Sequence, residues 1–252
     1  MKKGSSFAGF LILLFLFYSC ARKQYEVLNV TGCLVEMNSR YDFPVNTKML
    51  SFIMPYKTQL DAEMNKVIGE ADQNFVKSGR QSALAFFTAD AMQDFATGLW
   101  GAVDFAVINN GGIRATLYKG PVTVGDLYEI YPFNNRLVLV ELKGKAVKQL
   151  FDDFARNKME GFSKGVRLTL KNNEIDSLTI GGKPLDEEAV YRIVTVDFLA
   201  EGNDGMKAFS QATKFINSNI MLRDTMIDYI KNLTDKNKKI HAISDDRITI
   251  EE

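Results

Sequence analysis

Three stretches of the sequence each combine a turn-prone backbone with polar or aromatic groups suited to gripping a ligand. The first is Asn109-Asn110-Gly111-Gly112-Ile113-Arg114. Its two glycines let the main chain approach a bound molecule closely, and Arg114 offers a planar fork of donors to oxygen anions. The second is Tyr131-Pro132-Phe133-Asn134-Asn135, where an aromatic flanked by Pro and Asn is oddly placed for core packing. The third runs Asp197-Phe198-Leu199-Ala200-Glu201-Gly202-Asn203-Asp204-Gly205 and separates an aromatic from a carboxylate by a glycine-containing turn. Taken singly, each also reads as a tight loop or a core plug.

Several chemistries are missing from the chain. His241 is its one histidine and lies in a polar segment after Lys238 and Lys239. A Ser-His-Asp arrangement or a histidine-rich metal cage needs more than that, so His241 reads as a solvated surface residue. No GxxxxGK[ST] loop occurs, which excludes a P-loop NTPase. Asp152-Asp153 reads as the solvent face of an amphipathic helix and Asp245-Asp246 as a turn. Lys plus Arg equals Asp plus Glu at 31 each, so no global field draws nucleic acid or anionic lipid, and nucleic acid is not an expected partner. Cys33 has no CxxC spacing and is expected to be a buried small hydrophobe.

The elements that must position the three stretches are partly visible. Tyr25, Val27 and Val30 suggest an early strand within residues 21–55. From Tyr56 the period changes, and Leu60, Met64, Val67 and Ile68 predict a helix that Gly69 ends. Ser82 is a candidate cap for a helix through Ala89 and Met92 towards Trp100. Phe105 to Ile108 predicts a strand leading into the glycine turn, and Thr123 with Asp126 makes a loose capping box. Leu137 to Leu142 is a strand. Val147, Leu150, Phe151 and Phe154 form a helical stripe. Val166, Leu168 and Leu170 alternate as a strand, Asn172-Asn173 turns into Ile175 to Ile180, and Gly181-Gly182 turns again. Tyr191 to Val196 is a buried strand and Ile220 to Leu233 a final helix. Intermixed helices and strands with hairpins in the second half predict an α+β fold, with a mixed sheet covered by helices. The hydrophobic share of 46% suffices for a sizeable core.

Residues 1–20 read as targeting. Lys2 and Lys3 precede an apolar run, Phe10 to Tyr18, that is too short to span a bilayer. It closes with Ser19, Cys20 and Ala21, which resembles a bacterial lipoprotein signal leaving Cys20 lipidated, so that the protein is exported and anchored in the cell envelope. The alternative is an ordinary secretory signal with an incidental cysteine.

The motifs together carry a family resemblance. Asn-x-Gly-Gly-Ile-Arg, then Gly125-Asp126-Leu127, Pro-Phe-x-Asn, a strand ending Leu-x-Gly at Leu142 to Gly144, and Phe-Leu-Ala-x-Gly-x-Asp-Gly follow in the order seen in C-terminal domains of 5'-nucleotidases. Related enzymes hydrolyse UDP-sugars and 2',3'-cyclic nucleotides. The resemblance runs from about Lys57 to the end, through Asp245-Asp246-Arg247, which suggests a domain over 56–252 after an N-terminal strand or linker over 21–55. In that family this domain supplies the nucleoside site, and a separate metallophosphatase domain holds two metals.

The resemblance implies that Phe133 and Phe198 sandwich the base and that Asn109 and Asn135 hydrogen-bond around base and ribose. It also implies that Asp204 accepts from ribose hydroxyls and that Arg114 reaches ribose or phosphate, with Gly111 and Gly112 shaping the loop. Two departures stand out. Where the family shows Glu-Ser-x-x-Gly-Asn-Leu beside the phosphate, this chain has Gln81-Ser82-Ala83-Leu84-Ala85-Phe86-Phe87, with Arg80 just before it. The family's Gly-Gly-Asp is Gly202-Asn203-Asp204, and Asn is suited to left-handed backbone.

With one histidine, the metallophosphatase motifs cannot be assembled, so no catalytic residue, metal ligand or cofactor is expected in this chain. The resemblance implies a nucleoside- or nucleotide-binding part of a 5'-nucleotidase system, with the divalent metals on a separate metallophosphatase subunit. The alternatives are a stand-alone surface lipoprotein that binds nucleosides or nucleotides, and a degenerate structural domain.

Overall fold

In the computed structural model, residues 26–76, 82–157, 160–241 and 247–251 are described. The Cys20 site, Arg80, Gln81 and the Asp245-Asp246 pair lie outside them. The chain divides between Phe52 and Ile53 into two units. In the first, residues 26–46 form no strand and are exposed, with one short 3-10 turn at Ser39–Tyr41. The early strand expected around Val27 and Val30 is therefore not formed, because no other strand pairs with that segment. Cys33 is likewise exposed and not buried as expected, since the stretch around it meets no core.

Helix α1 (Thr47–Met64) starts well before Tyr56 and contains Pro55. It stops at Met64, and Val67 and Ile68 belong to strand β1 (Val67–Ala71). The expected continuation of the helix to Gly69 fails for a tertiary reason. Gly69 pairs with Val122 in a two-stranded ladder, and a Cβ on it would come 2.6 Å from Ile230 Cγ2. It marks a close approach and not a helix end.

Helix α2 (Ala83–Trp100) is capped by Ser82, whose hydroxyl accepts the Ala85 N–H at 3.2 Å. Strand β2 (Phe105–Asn109) is buried throughout and runs into a 3-10 turn at Asn110–Gly112. Strand β3 (Gly120–Thr123) pairs with β1, and helix α3 (Val124–Ile130) begins with a full capping box between Thr123 and Asp126. Strand β4 (Arg136–Lys143) leads directly into helix α4 (Gly144–Asn157). A Cβ on Gly144 would overlap the main chain of Asp186, so only glycine allows this tight exit.

The second half supplies β5 (Glu160–Phe162), β6 (Val166–Lys171), β7 (Glu174–Ile180), β8 (Lys183–Pro184) and β9 (Val190–Val196). Asn172 and Asn173 both take positive φ, as do Gly181 and Gly182, which is what tight hairpin turns demand. Helix α5 (Asp197–Ala200) follows β9 at once, then come β10 (Lys214–Met221), α6 (Leu222–Asp235) and β11 (Ile248–Glu251). The final helix thus begins at Leu222, while Ile220 and Met221 close a strand.

The central sheet has the order β10-β4-β9-β2-β5, with β2 and β9 parallel and the other neighbours antiparallel. A second sheet runs β11-β6-β7-β8. Helices α2, α4 and α6 bury Leu84, Met92, Phe151 and Met226 into the core with the sheets. This is the expected α+β fold of mixed sheets layered with helices. Asp152 and Asp153 lie half buried, where α4 meets the 3-10 turn Lys207–Gln211, so they are not a fully solvent-facing pair. Asp153 Oδ2 is enclosed without a hydrogen-bond partner, and burial raises the pKa of its carboxyl group.

One buried ion pair ties the last strand to the rest. The fully buried Arg247 donates to both oxygens of Asp90 at 2.8 and 2.7 Å and to the Phe162 carbonyl at 2.9 Å. Its guanidinium also lies over the Phe86 ring.

Candidate functional site

The eight positions expected at the site all line a single cavity of about 250 Å3: Asn109, Gly111, Gly112, Arg114, Phe133, Asn135, Phe198 and Asp204. They come from three places at one end of the central sheet, namely the turn after β2, the loop between α3 and β4, and the turn following α5.

The glycine turn is built around Asn109. Its side-chain Nδ2 donates to Asp204 Oδ2 at 2.5 Å, while its Oδ1 is buried without a hydrogen-bond partner. A Cβ on Gly112 would stand 2.8 Å from that Oδ1, and one on Gly111 would stand 3.2 Å from Nδ2 and 3.3 Å from Asp204 Oδ2. A side chain at Gly112 would therefore have to displace the Asn109 amide, and one at Gly111 would meet tighter but yielding contacts. The exposed Arg114 donates to the Gly111 carbonyl at 3.3 Å, and its guanidinium carbon lies 5.9 Å from the centre of the Phe133 ring.

The Phe133 loop is held from below. Tyr131 is buried at its start and shares a 2.6 Å hydrogen bond with Thr88. Thr88 itself donates to the Leu84 carbonyl, so the Tyr131 phenol is the donor of the pair. Burial raises the pKa of that phenol strongly, and the hydrogen bond to Thr88 offsets part of the rise. Arg223, on α6, donates to the Tyr131 carbonyl at 3.0 Å and to Asn134 Oδ1 at 3.1 Å, with its guanidinium 4.0 Å from the Tyr128 ring centre. Leu222 N–H closes the loop on the Asn135 carbonyl at 2.9 Å. The sequence carried no signal for Arg223, since a cation on a terminal helix normally faces water.

In the third stretch the left-handed residue is Asp204, at φ 52°, with Gly202 and Gly205 also at positive φ. Asn203 was expected to take that conformation. Instead its Nδ2 donates to the Phe198 carbonyl at 2.8 Å, so it anchors the turn. Phe133 and Phe198 are 46% and 39% exposed, whereas Phe75, Phe105, Phe151, Phe162 and Phe209 are completely buried. Both rings are thus partly open to solvent while lining the cavity.

The altered segment after Gln81 serves packing. Leu84, Ala85, Phe86 and Phe87 are buried, Phe87 meets Phe75 and Tyr229 edge-on, and Ala85 fits against Gly161. None of them lines the cavity.

A second cavity of about 250 Å3 is bounded by Phe86, Phe87, Lys164, Tyr229, Lys239 and Arg247. Its cations are matched, Lys164 to Asp94, Lys239 to Glu70 and Arg247 to Asp90, as is the exposed His241 to Asp72. Among the described residues no three His, Cys, Asp or Glu side chains gather as metal ligands. No helix among them is long and apolar enough to cross a membrane.

Comparison with known proteins agrees with this architecture. Residues 67–211 match the family described as 5'-nucleotidase, C-terminal domain. Protein UshA of Yersinia enterocolitica is 29% identical over 193 residues, which cover 73% of this chain and 34% of that protein. The 5'-nucleotidase of Vibrio cholerae is 26% identical over 196 residues, covering 74% of this chain and 34% of that one. The crystal structure of the 5'-nucleotidase precursor from Thermus thermophilus superposes with a TM-score of 0.69 at 27% identity, over 81% of this chain and 43% of that chain. The chain therefore spans about a third of the length of the curated relatives it matches.

Proposed function

Because the chain belongs to the 5'-nucleotidase C-terminal domain family, we propose that its cavity binds the base and ribose of a nucleoside or nucleotide within a nucleotide-degrading 5'-nucleotidase system. The observation that carries this reading is the pair of half-exposed rings, Phe133 and Phe198, lining one cavity with Asn109 and Asp204.

Each element has a physical task. A purine or pyrimidine stacked against an aromatic ring gains ~1–3 kcal/mol per ring whatever its edge pattern. Asp204 gives one oxygen to Asn109 and has a second for vicinal ribose hydroxyls, where charge-assisted hydrogen bonds form. Asn109, held by its bond to Asp204, lines the same cavity. The exposed Arg114 beside Phe133 presents its fork towards ribose or phosphate oxygens.

As part of the same proposal, hydrolysis falls to a metallophosphatase subunit that brings the metals. Attachment to the cell envelope through a lipid on Cys20 belongs to the same proposal. A second reading is a stand-alone surface binding lipoprotein, which would use the same eight lining residues to capture a nucleoside without turning it over.

A thermal-shift panel of nucleosides and nucleotides tests the reading, on the chain lacking its first 20 residues, with and without an exported metallophosphatase. Stabilisation by nucleosides together with phosphate release only when the phosphatase is added is the expected outcome. Stabilisation with no turnover under any pairing selects the stand-alone binder. No shift with any nucleoside removes the binding function and leaves a structural domain.

A further inference from the structure

We propose that Asp197 is the positioning residue that sets the separation of the two rings. This rests on the nucleoside site described above.

The observation is a missing rung. Strands β4 and β9 run antiparallel, and their ladder reaches Leu137 opposite Val196. One step further the backbone of β9 turns into helix α5 at Asp197, so main-chain pairing stops. The Asp197 carboxylate takes over. Its Oδ1 accepts the Arg136 N–H at 3.1 Å and the Phe198 N–H at 2.8 Å. A single oxygen thus holds the first residue after the Phe133-Asn134-Asn135 loop and the residue that carries the second ring.

The rest of the frame is tied elsewhere. The Phe198 carbonyl is held by Asn203, and the Phe133 loop by Arg223 and Leu222. Among the described residues, Asp197 links the two ring-bearing segments directly, half buried and not lining the cavity. A carboxylate oxygen accepting two main-chain N–H groups is a strong, directional clamp. Removing it frees both donors to water and lets the loops separate, with the fold retained through the ladder beneath.

The test uses 2-aminopurine riboside, whose fluorescence is quenched when its base is stacked, with affinity and fluorescence at saturation read together. The native chain is expected to bind and quench. Asp197→Ala is expected to raise Kd about tenfold, the worth of roughly two ordinary hydrogen bonds, and to leave the bound base brighter than in the native complex. Asp197→Asn retains an acceptor oxygen at the same place and is expected to restore both readouts. If Asp197→Ala does not fold, Asp197→Glu, which shifts the acceptor by one methylene, is expected to show the brighter bound state.

Native quenching at saturation in the Ala or Glu variant overturns the positioning role, even where Kd has risen. Failure of Asp197→Asn to restore quenching overturns it as well. If the native chain binds neither 2-aminopurine riboside nor adenosine nor uridine, the nucleoside site itself is refuted and the role of Asp197 falls with it.

Discussion

Asn109 and Asp204 meet at 2.5 Å, Nδ2 to Oδ2, although one closes the buried strand β2 and the other sits in a left-handed turn beyond β9, its neighbour in the same sheet. The contact joins the glycine turn to the segment carrying Phe198, and it leaves Asn109 Oδ1 buried with no hydrogen-bond partner. A non-glycine residue at φ 52° costs energy, and this hydrogen bond helps to hold it there.

Replacing Asp204 is expected to separate ribose recognition from base recognition. Asp204→Ala is expected to weaken binding of a riboside by about 1.5–3 kcal/mol, the range for hydrogen bonds to a charged group. Binding of the corresponding free base should change much less. Isothermal titration with adenosine and adenine checks this, and equal losses for both contradict the assignment to ribose.

The two glycines are expected to rank by distance. The added methyl of Gly112→Ala comes closest to the Asn109 amide, so it must displace that side chain and break its bond to Asp204. A cost of about 1–3 kcal/mol is typical of overpacking, and here it is expected in ligand affinity. Gly111→Ala, with its looser contacts, is expected to lose less. A reversed order in Kd contradicts the geometry.

Stability and binding are expected to come apart at Arg247. Asp90→Ala leaves this fully buried guanidinium without its carboxylate, which typically costs ~3–5 kcal/mol. Urea unfolding should show the loss as a lower midpoint, while nucleoside affinity under native conditions stays unchanged. A midpoint within error of the native one contradicts the account.

Tyr229 predicts an alkaline limit. Burial, and then the neighbouring Asp94 charge and hydrogen bond, push its phenol from 10.0 up to about 12. The fold favours the neutral phenol, so its contribution is intact below pH 10 and is lost as pH rises from 10 towards 12. Tyr229→Phe is expected to make stability fall less steeply across that window, as measured by denaturant midpoints at fixed pH. An unchanged slope contradicts the shift.

Much of the site was legible because its residues cluster in short runs whose turns need glycine or asparagine. The pairs at Asn172-Asn173 and Gly181-Gly182 were readable for the same local reason. What was not legible depended on distant partners. Val67 and Ile68 continue a helical spacing, yet they join a strand because Thr123 and Val122 pair with this segment and Ile230 packs on Gly69. Val27 and Val30 are β-branched and suggest a strand, yet that segment finds no partner. Nothing local in the sequence marks Arg223 and Arg247 for burial, but the chain buries both against carbonyls and, for Arg247, a carboxylate. Asp197 stood in plain view, and its role depends on the Arg136 N–H that the fold brings beside it.

The account stands on base stacking at Phe133 and Phe198, and titration of a nucleoside into single alanine variants tests it most directly. Both rings are well exposed, 46% and 39%, so the melting temperature should hardly move. Phe133→Ala and Phe198→Ala are each expected to weaken nucleoside binding by ~1–3 kcal/mol. Native affinity in both variants contradicts the stacking site.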